Sequence, residues 1–265
     1  MLKIKVNNYF INYGILFFIS FNLLSEDIGQ PGELFPVKVD YVESNESSGL
    51  VKINNDYFKL IPLSYSKQGE YIEFNKSKIY VQKKDFGESR ITITNNKLVD
   101  LSDEDRERTI RESAIIKKAL QSYSKDIKPK FNFMRPVEGI ISSRYGKKRF
   151  INDSPRSPHL ALDIAAPEGT AIFAPDNGRI ILIGNFFYSG NFVLIDHGYG
   201  LVSSYSHLSS VSVSKGDILN KGQKIGEVGS TGRVTGPHLH WTVYYEGVRI
   251  NPESLLRDNY LKTLL

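Results

Sequence analysis

The 265-residue sequence contains no cysteine and only five histidines. Without cysteine the chain can form neither a disulfide nor a thiolate bond to a metal, and a lipid anchor on an N-terminal cysteine is excluded. Any bound metal must therefore take nitrogen and oxygen ligands. Cysteine usage gives no indication of the compartment in this chain.

Long runs of basic residues are also absent. No basic run is longer than Lys147-Lys148-Arg149, and no nucleic-acid-binding motif is present, although the formal net charge is +5. We therefore expect no nucleic-acid partner. A positive charge suits a protein that acts on an anionic polymer, because long-range attraction concentrates the polymer around it. A basic protein without such a role would carry the same charge, so both interpretations stand.

The N-terminal apolar stretch is too short for a comfortable membrane span. Residues 13–24 form an apolar core that follows Lys3 and Lys5 and ends at polar residues, whereas a transmembrane helix needs roughly 20 apolar residues. A basic start, a short apolar core and a polar exit are typical of a secretory signal peptide. We assign residues 1–25 as a signal peptide or N-terminal anchor, because no clean cleavage site follows the core. The expected location is the periplasm or cell envelope.

The rest of the chain is long enough for two modest domains. Residues 30–97 read as short strands separated by turns and contain no histidine, which predicts a small β-sandwich-like accessory domain. This domain would position the chain or bind a partner, or act as a plain spacer. Residues 98–128 predict a helical connector that begins after an N-cap at Ser102 and ends near Ser122.

Residues 129–259 predict a compact antiparallel β-sheet domain with an open groove, so the fold class is mostly β. We interpret residues 147–158 as a polar loop that forms a wall of the groove. Residues 158–167 read as one strand-like run. His197 is interpreted as a structural residue that caps a turn.

Four histidines and one aspartate occupy positions that suit a metal site. His238 and His240 alternate along a strand after a Gly-Pro turn, so both point to one face, and His159 and Asp163 share a face in the same way. His159, Asp163 and His240 would supply two nitrogens and one oxygen, which leaves a fourth tetrahedral position open, as in catalytic zinc sites. His207 and His238 remain as proton carriers.

Together these segments resemble the lysostaphin/LytM family of zinc metallopeptidases, which cleave peptide cross-links of bacterial peptidoglycan. The family pattern is His-x-Gly-x-Asp, a Tyr-x-His-Leu strand, and a glycine-rich turn that leads into Gly-Pro-His-Leu-His. The resemblance covers roughly residues 135–255. Ala161 replaces the family glycine, and this difference removes no ligand.

By position, the resemblance implies that His159, Asp163 and His240 bind one zinc ion per chain and that His207 and His238 are the catalytic pair. It implies a zinc-dependent endopeptidase that acts on the peptide stems of peptidoglycan. The β-rich N-terminal domain resembles that of some cell-envelope members and would contact an envelope protein partner.

Two other functions fit the same residues. Family members that have lost zinc ligands are non-catalytic modules that bind or activate other cell-wall hydrolases. A carbohydrate-binding envelope protein with an incidental metal is the third interpretation. All five functional positions are occupied in this sequence, which favours the enzyme.

Overall fold

The computed structural model describes residues 27–39, 49–93 and 101–265. The predicted signal peptide or anchor, residues 1–25, lies outside the described residues. Within them, no helix is both long and apolar enough to span a membrane. The described residues form mainly β-strands with one α-helix, which confirms the predicted fold class.

The described residues of the N-terminal part form seven short strands. They are β1 (Asp27–Gly29), β2 (Leu34–Val39), β3 (Val51–Ile53), β4 (Asp56–Pro62), β5 (Tyr71–Phe74), β6 (Ser77–Val81) and β7 (Glu88–Ile91). Two three-stranded sheets, of order β1-β6-β5 and β2-β4-β3, contribute to one apolar core. Its buried residues are Val37, Ile61, Leu63, Ile79 and Val81. The arrangement is sandwich-like, as predicted.

One helix, α1 (Asp103–Ala119), follows, and Ser102 is its N-cap. The Ser102 hydroxyl accepts a hydrogen bond from the Asp105 N–H at 3.1 Å, and three acidic residues occupy the first turn, where they interact favourably with the helix dipole. The helix packs through Ile116 and Ala119 against a cluster that includes Phe192 of the C-terminal sheet. It therefore rests on the next domain along part of its length.

The C-terminal part contains twelve strands and two short 3-10 helices. The strands are β8 (Ile140–Ser143), β9 (Lys147–Ile151), β10 (Ser154–His159), β11 (Leu162–Ala165), β12 (Ala171–Phe173), β13 (Gly178–Phe186), β14 (Gly190–Gly198), β15 (Leu201–Val211), β16 (Ile218–Leu219), β17 (Lys224–Val228), β18 (His238–Tyr245) and β19 (Val248–Ile250). The 3-10 helices are Pro252–Leu256 and Tyr260–Leu264, and a further one, Tyr65–Lys67, lies in the N-terminal part.

A ten-stranded sheet organises this C-terminal part. Its main path is β16-β13-β14-β15-β18-β11-β8, and its pairs are antiparallel. Strands β14, β15 and β18 are almost entirely buried, and their apolar side chains, with Trp241 and Tyr205 among the largest, form the main core. Burial of this apolar area fixes the register of the central strands.

Contacts cross the predicted boundary between the two domains. Strand β7 pairs in parallel with β9, and Leu34 and Leu60 from the N-terminal strands belong to the same apolar core as Phe131. The division at residues 98–128 therefore stays a prediction. The N-terminal strands are positioned where they can shape the cleft described below.

Two sequence-based assignments were wrong. Residues 147–158 are not a loop: β9 and β10 form an antiparallel hairpin with Asn152 and Asp153 at its turn, both at positive φ. Proline is disfavoured in the middle of a sheet because it has no N–H to donate to a neighbouring strand. Pro155 is tolerated because β10 is the edge strand of its three-stranded sheet. The run at 158–167 is not one strand either, because β10 ends at His159 and β11 begins at Leu162.

Candidate active site

Asp163 and His240 are brought together by strand register. They are direct partners across β11 and β18, and Asp163 Oδ1 lies 2.7 Å from His240 Nδ1. Directly opposed residues share one face of a sheet. The antiparallel pairing of two buried strands therefore places an oxygen and a nitrogen donor side by side.

His159 reaches the same point from the end of β10. Its Nε2 lies 3.0 Å from Asp163 Oδ1 and 3.4 Å from His240 Nδ1. On the far side of the ring, Nδ1 lies 3.1 Å from both the Arg144 carbonyl and the Ser143 hydroxyl. Because a carbonyl can only accept, Nδ1 carries the proton and Nε2 keeps its lone pair for a ligand role.

The three donors fit a tetrahedral metal ion. Their separations of 2.7, 3.0 and 3.4 Å are close to the roughly 3.3 Å between ligand atoms that zinc bond lengths of about 2.0–2.1 Å require. His159, Asp163 and His240 could therefore hold a metal ion. Burial alone would raise the pKa of Asp163, but the His240 and His159 imidazoles hold it well below its usual value, so the carboxylate is ionised.

His207 joins the site through a bulge in β15. Val193 pairs with Tyr205 and Asn191 pairs with Leu208, so β15 has one more residue than β14 between these pairs. His207 has a φ of +70°, and its N–H donates to the Ser189 carbonyl at 2.7 Å.

The bulge changes which side chains reach the cleft. Neighbouring residues in a regular strand face opposite sides, yet Ser206 and His207 both line the cleft. A non-glycine residue at positive φ costs about 1 kcal/mol or more, and such strain is concentrated at functional sites. The His207 backbone is therefore strained at the point where its ring enters the site.

His207 and His238 form a second pair beside the metal-ligand group. Their ring centroids are 4.9 Å apart, and the His207 ring is 5.7 Å from that of His240. His207 Nδ1 donates to the Thr231 carbonyl, and His238 Nδ1 donates to the Gly236 carbonyl, each at 2.9 Å. Both rings therefore carry their proton on Nδ1, and each Nε2 can accept one.

His197, in contrast, lies outside the site. It is fully buried, its Nδ1 donates to the Asn177 carbonyl, and its Nε2 lies 2.7 Å from the Ser203 hydroxyl. Its ring packs on Phe133 at a centroid distance of 4.7 Å. The prediction that His197 is structural is confirmed.

Sequence reasoning missed several residues that line the cleft. They are Ser89 and Ile91 of β7, Arg149 of β9, and Tyr188, Ser206 and Arg233. Residues 147–151 are three basic residues followed by two apolar ones, so no alternation in the sequence indicated a strand that contains Arg149. The hairpin does line the cleft, as the predicted loop was expected to do.

Comparison with known proteins agrees with this geometry. Residues 157–252 match the model of peptidase family M23, and they include all five residues named above for the site. Residues 157–252 are therefore similar to peptidase family M23. The M23 match begins two residues before His159 and ends after β19.

Two curated proteins that are similar to this chain carry names that refer to peptidoglycan or to endopeptidase activity. Peptidoglycan DD-endopeptidase ShyA of Vibrio cholerae is 40% identical over 112 residues, which is 42% of this chain and 26% of ShyA. DD-carboxypeptidase/endopeptidase Mpg of Neisseria meningitidis is 39% identical over 125 residues, which is 47% of this chain and 29% of Mpg. The matched region thus spans less than a third of either relative.

One solved structure is similar over most of the chain. It is the crystal structure of a Pseudomonas aeruginosa protein assigned to peptidase M23, with 29% identity and a TM-score of 0.62. The similarity covers 78% of this chain and 82% of that one. It therefore extends beyond residues 157–252 into the N-terminal strands.

Proposed function

We propose that this protein is a zinc-dependent endopeptidase that hydrolyses peptide cross-links of bacterial peptidoglycan, at the bond between D-alanine and diaminopimelate. The M23 domain and the relatives named for DD-endopeptidase activity support the substrate class. The residues of the cleft support the chemistry.

The observation that carries the proposal is that a group able to bind a metal lies next to two histidines able to transfer protons. His159, Asp163 and His240 present three donors at metal-ligand distances, and His207 and His238 stand beside them with Nε2 able to accept a proton. When bound, zinc would lower the pKa of a coordinated water and polarise the amide carbonyl. A group that moves protons is needed next to such a metal.

The environment of His207 keeps its ring unprotonated. Burial, and then the neighbouring His240 and His238 imidazoles, lower the pKa of His207 to about 3, so the ring is neutral near pH 7. A neutral ring can take a proton from the attacking water, and the protonated ring can give one to the leaving amine. His207 and His238 together can serve both steps.

The test uses the purified protein with intact peptidoglycan and with purified cross-linked muropeptide dimers. We expect the zinc-loaded protein to convert dimers into monomers, chelator treatment to stop the reaction, and added zinc to restore it. Mass analysis of the products should show an alanine carboxyl terminus and a released diaminopimelate amine. Cleavage within the glycan chain would overturn the peptidase assignment.

A lack of both bound zinc and product release would instead support the non-catalytic module. No residue of the cleft favours that alternative, because all five functional positions are present. Zinc content and product release are measured separately, so the experiment distinguishes the endopeptidase from the non-catalytic module.

We also propose that the protein is exported to the periplasm or cell envelope. The support is the basic start and the apolar core at residues 13–24. A reporter that is active only outside the cytoplasm, fused after Leu265, should be active. The same fusion without residues 1–25 is the control and should be inactive. Activity that does not depend on residues 1–25 would contradict export by this segment.

A further inference from the structure

The cleft beside the metal-ligand group is lined by arginines. Five of them line its two adjoining parts: Arg106, Arg149, Arg156, Arg233 and Arg249. Among the described residues that line these parts, Asp163 is the one carboxylate, and its Oδ1 already contacts His159 and His240. The cleft therefore has a large excess of positive charge next to the place where a metal would be held.

Two of these arginines oppose each other in the hairpin. Arg149 in β9 and Arg156 in β10 are direct cross-strand partners, and like charges in this position destabilise a sheet. Arg149 Nη2 lies 3.8 Å from Asp163 Oδ2, and within the described structure its buried Nε has no hydrogen-bond partner. A buried donor without a partner costs free energy. The pair is explained better by a ligand than by the stability of the hairpin.

Arg233 is held in place by its surroundings. Its guanidinium lies 4.0 Å from the centroid of the Tyr188 ring, and its N–H donates to the Tyr188 carbonyl at 3.0 Å. Gly232 has a φ of +77°, and a Cβ there would lie 2.6 Å from the same carbonyl. Burial, and then the charges of Arg149 and Arg156, lower the pKa of Arg233. The three guanidinium groups are thus close enough to repel one another.

We propose that Arg149, Arg156 and Arg233, called here the arginine cluster, form a carboxylate-binding subsite that selects acidic peptides as substrates. The inference rests on the proposed endopeptidase function. A guanidinium presents paired N–H donors that match the two oxygens of a carboxylate. A bound carboxylate would offset the repulsion within the arginine cluster and could give the buried Arg149 Nε a hydrogen-bond partner.

The chemistry of the proposed substrate places such a carboxylate next to the bond that is cleaved. In a cross-link made through diaminopimelate, the carbon attached to the scissile amide nitrogen also carries a carboxylate. A glycine bridge has no carboxylate inside the bridge. The arginine cluster therefore favours a diaminopimelate cross-link with a free carboxylate over an amidated one or a glycine bridge.

The experiment compares two cross-linked muropeptide dimers, one with that carboxylate free and one with it amidated. For the wild-type protein we expect kcat/KM to be at least about tenfold higher on the free form, the usual effect of one charged hydrogen bond. In Arg156→Gln and Arg233→Gln, KM for the free form should rise about tenfold with little change in kcat. The amidated dimer should be affected much less, so the preference should fall toward one.

Matched controls separate the subsite from general loss of charge or fold. Arg111→Gln removes the same charge from the exposed face of α1, where Arg111 pairs with Glu107, and it should keep the preference. Arg233→Lys keeps the positive charge but lacks the paired N–H donors of a guanidinium. Its preference for the free form should therefore lie between those of Arg233→Gln and the wild-type protein. Zinc content should be unchanged in all these variants.

Binding to a His207→Ala protein, measured by calorimetry, separates this inference from the proposed function. Preferential binding of the free form without cleavage by the wild-type protein would support the subsite and contradict the endopeptidase. Cleavage of both dimers with equal kcat/KM would leave the endopeptidase standing and overturn the subsite. Equal binding of the two dimers, or no binding of either at millimolar concentration, would also overturn it.

Discussion

Asp163 and His240 lie directly opposite each other on β11 and β18, with Oδ1 and Nδ1 2.7 Å apart. Both strands pair with a neighbour on each side in the ten-stranded sheet, and both are largely buried. A slip of one residue would turn His240 to the other face and expose apolar side chains, so register is strongly specified. The geometry of the metal-ligand group is therefore fixed by the core of the sheet.

The first prediction concerns zinc content. Replacement of His159, Asp163 or His240 by Ala should reduce bound zinc far below one ion per chain, because two protein ligands hold zinc poorly. Elemental analysis of the purified variants measures this. His197→Gln is the control, since His197 is a buried histidine outside the site, and it should retain zinc. Stoichiometric zinc in all three ligand variants would refute the assignment.

The second prediction separates metal binding from proton transfer. His207→Ala and His238→Ala should keep their zinc, because neither residue belongs to the three-donor group. Turnover of cross-linked dimers should fall by about two to four orders of magnitude, the usual contribution of general acid and base catalysis. If one of these variants turned over at a near-normal rate with its metal in place, that residue would have no catalytic role.

Much of this site followed from the sequence, because period-two alternation places His238 and His240 on one face regardless of the rest of the fold. The position of His207 did not follow, because it depends on a bulge and a positive φ, and alternation alone contains no signal for an extra residue in one strand. The pattern of residues 205–208 shows a strand but not where the strand is distorted.

The arginine cluster was missed for a different reason. Arg149 and Arg156 lie in a hairpin whose prolines and polar residues are typical of a loop, and only the edge position of β10 makes the strand possible. Arg233 lies far along the chain from both and reaches them through tertiary structure. No local pattern in the sequence could show that these three side chains share one cleft.

The third prediction is a pH dependence of stability caused by His197. Burial lowers the pKa of His197 below its ordinary value of 6.5, so the folded protein keeps the ring neutral at pH values where the unfolded chain binds a proton. The unfolded state then holds more protons, and stability falls as pH decreases below about 6.5. For one group the loss is up to about 1 kcal/mol between pH 6.5 and 5.5.

The measurement is urea unfolding of the wild-type protein and of His197→Gln at pH 7.5, 6.5 and 5.5. Glutamine can still donate to the Asn177 carbonyl but does not titrate, so the variant should be less stable at pH 7.5 and lose less stability on acidification. Other titrating groups contribute equally to both proteins and cancel in the comparison. The same loss between pH 6.5 and 5.5 in both would show that His197 does not contribute.

The fourth prediction tests the support behind His207. Gly190 has a φ of +60°, and a Cβ there would lie 2.4 Å from the backbone carbonyl carbon of Thr231. The Thr231 carbonyl accepts the hydrogen bond from His207 Nδ1. Gly190→Ala should therefore displace Thr231 and lower turnover by about a hundredfold, the effect of a displacement of about 1 Å in a catalytic group.

Gly216→Ala is the matched control, because Gly216 also has a positive φ, of +96°, but has nothing within 4 Å of a Cβ. It should cost about 1 kcal/mol of stability, from the backbone conformation alone, and leave turnover normal. Gly190→Ala should cost about 1–3 kcal/mol more, because steric overlap adds to the backbone term, and it should keep zinc because the three donors do not touch Thr231. Zinc content, urea unfolding and turnover on the same samples measure the three effects. Normal turnover of Gly190→Ala would mean that the position of His207 does not depend on the Thr231 carbonyl.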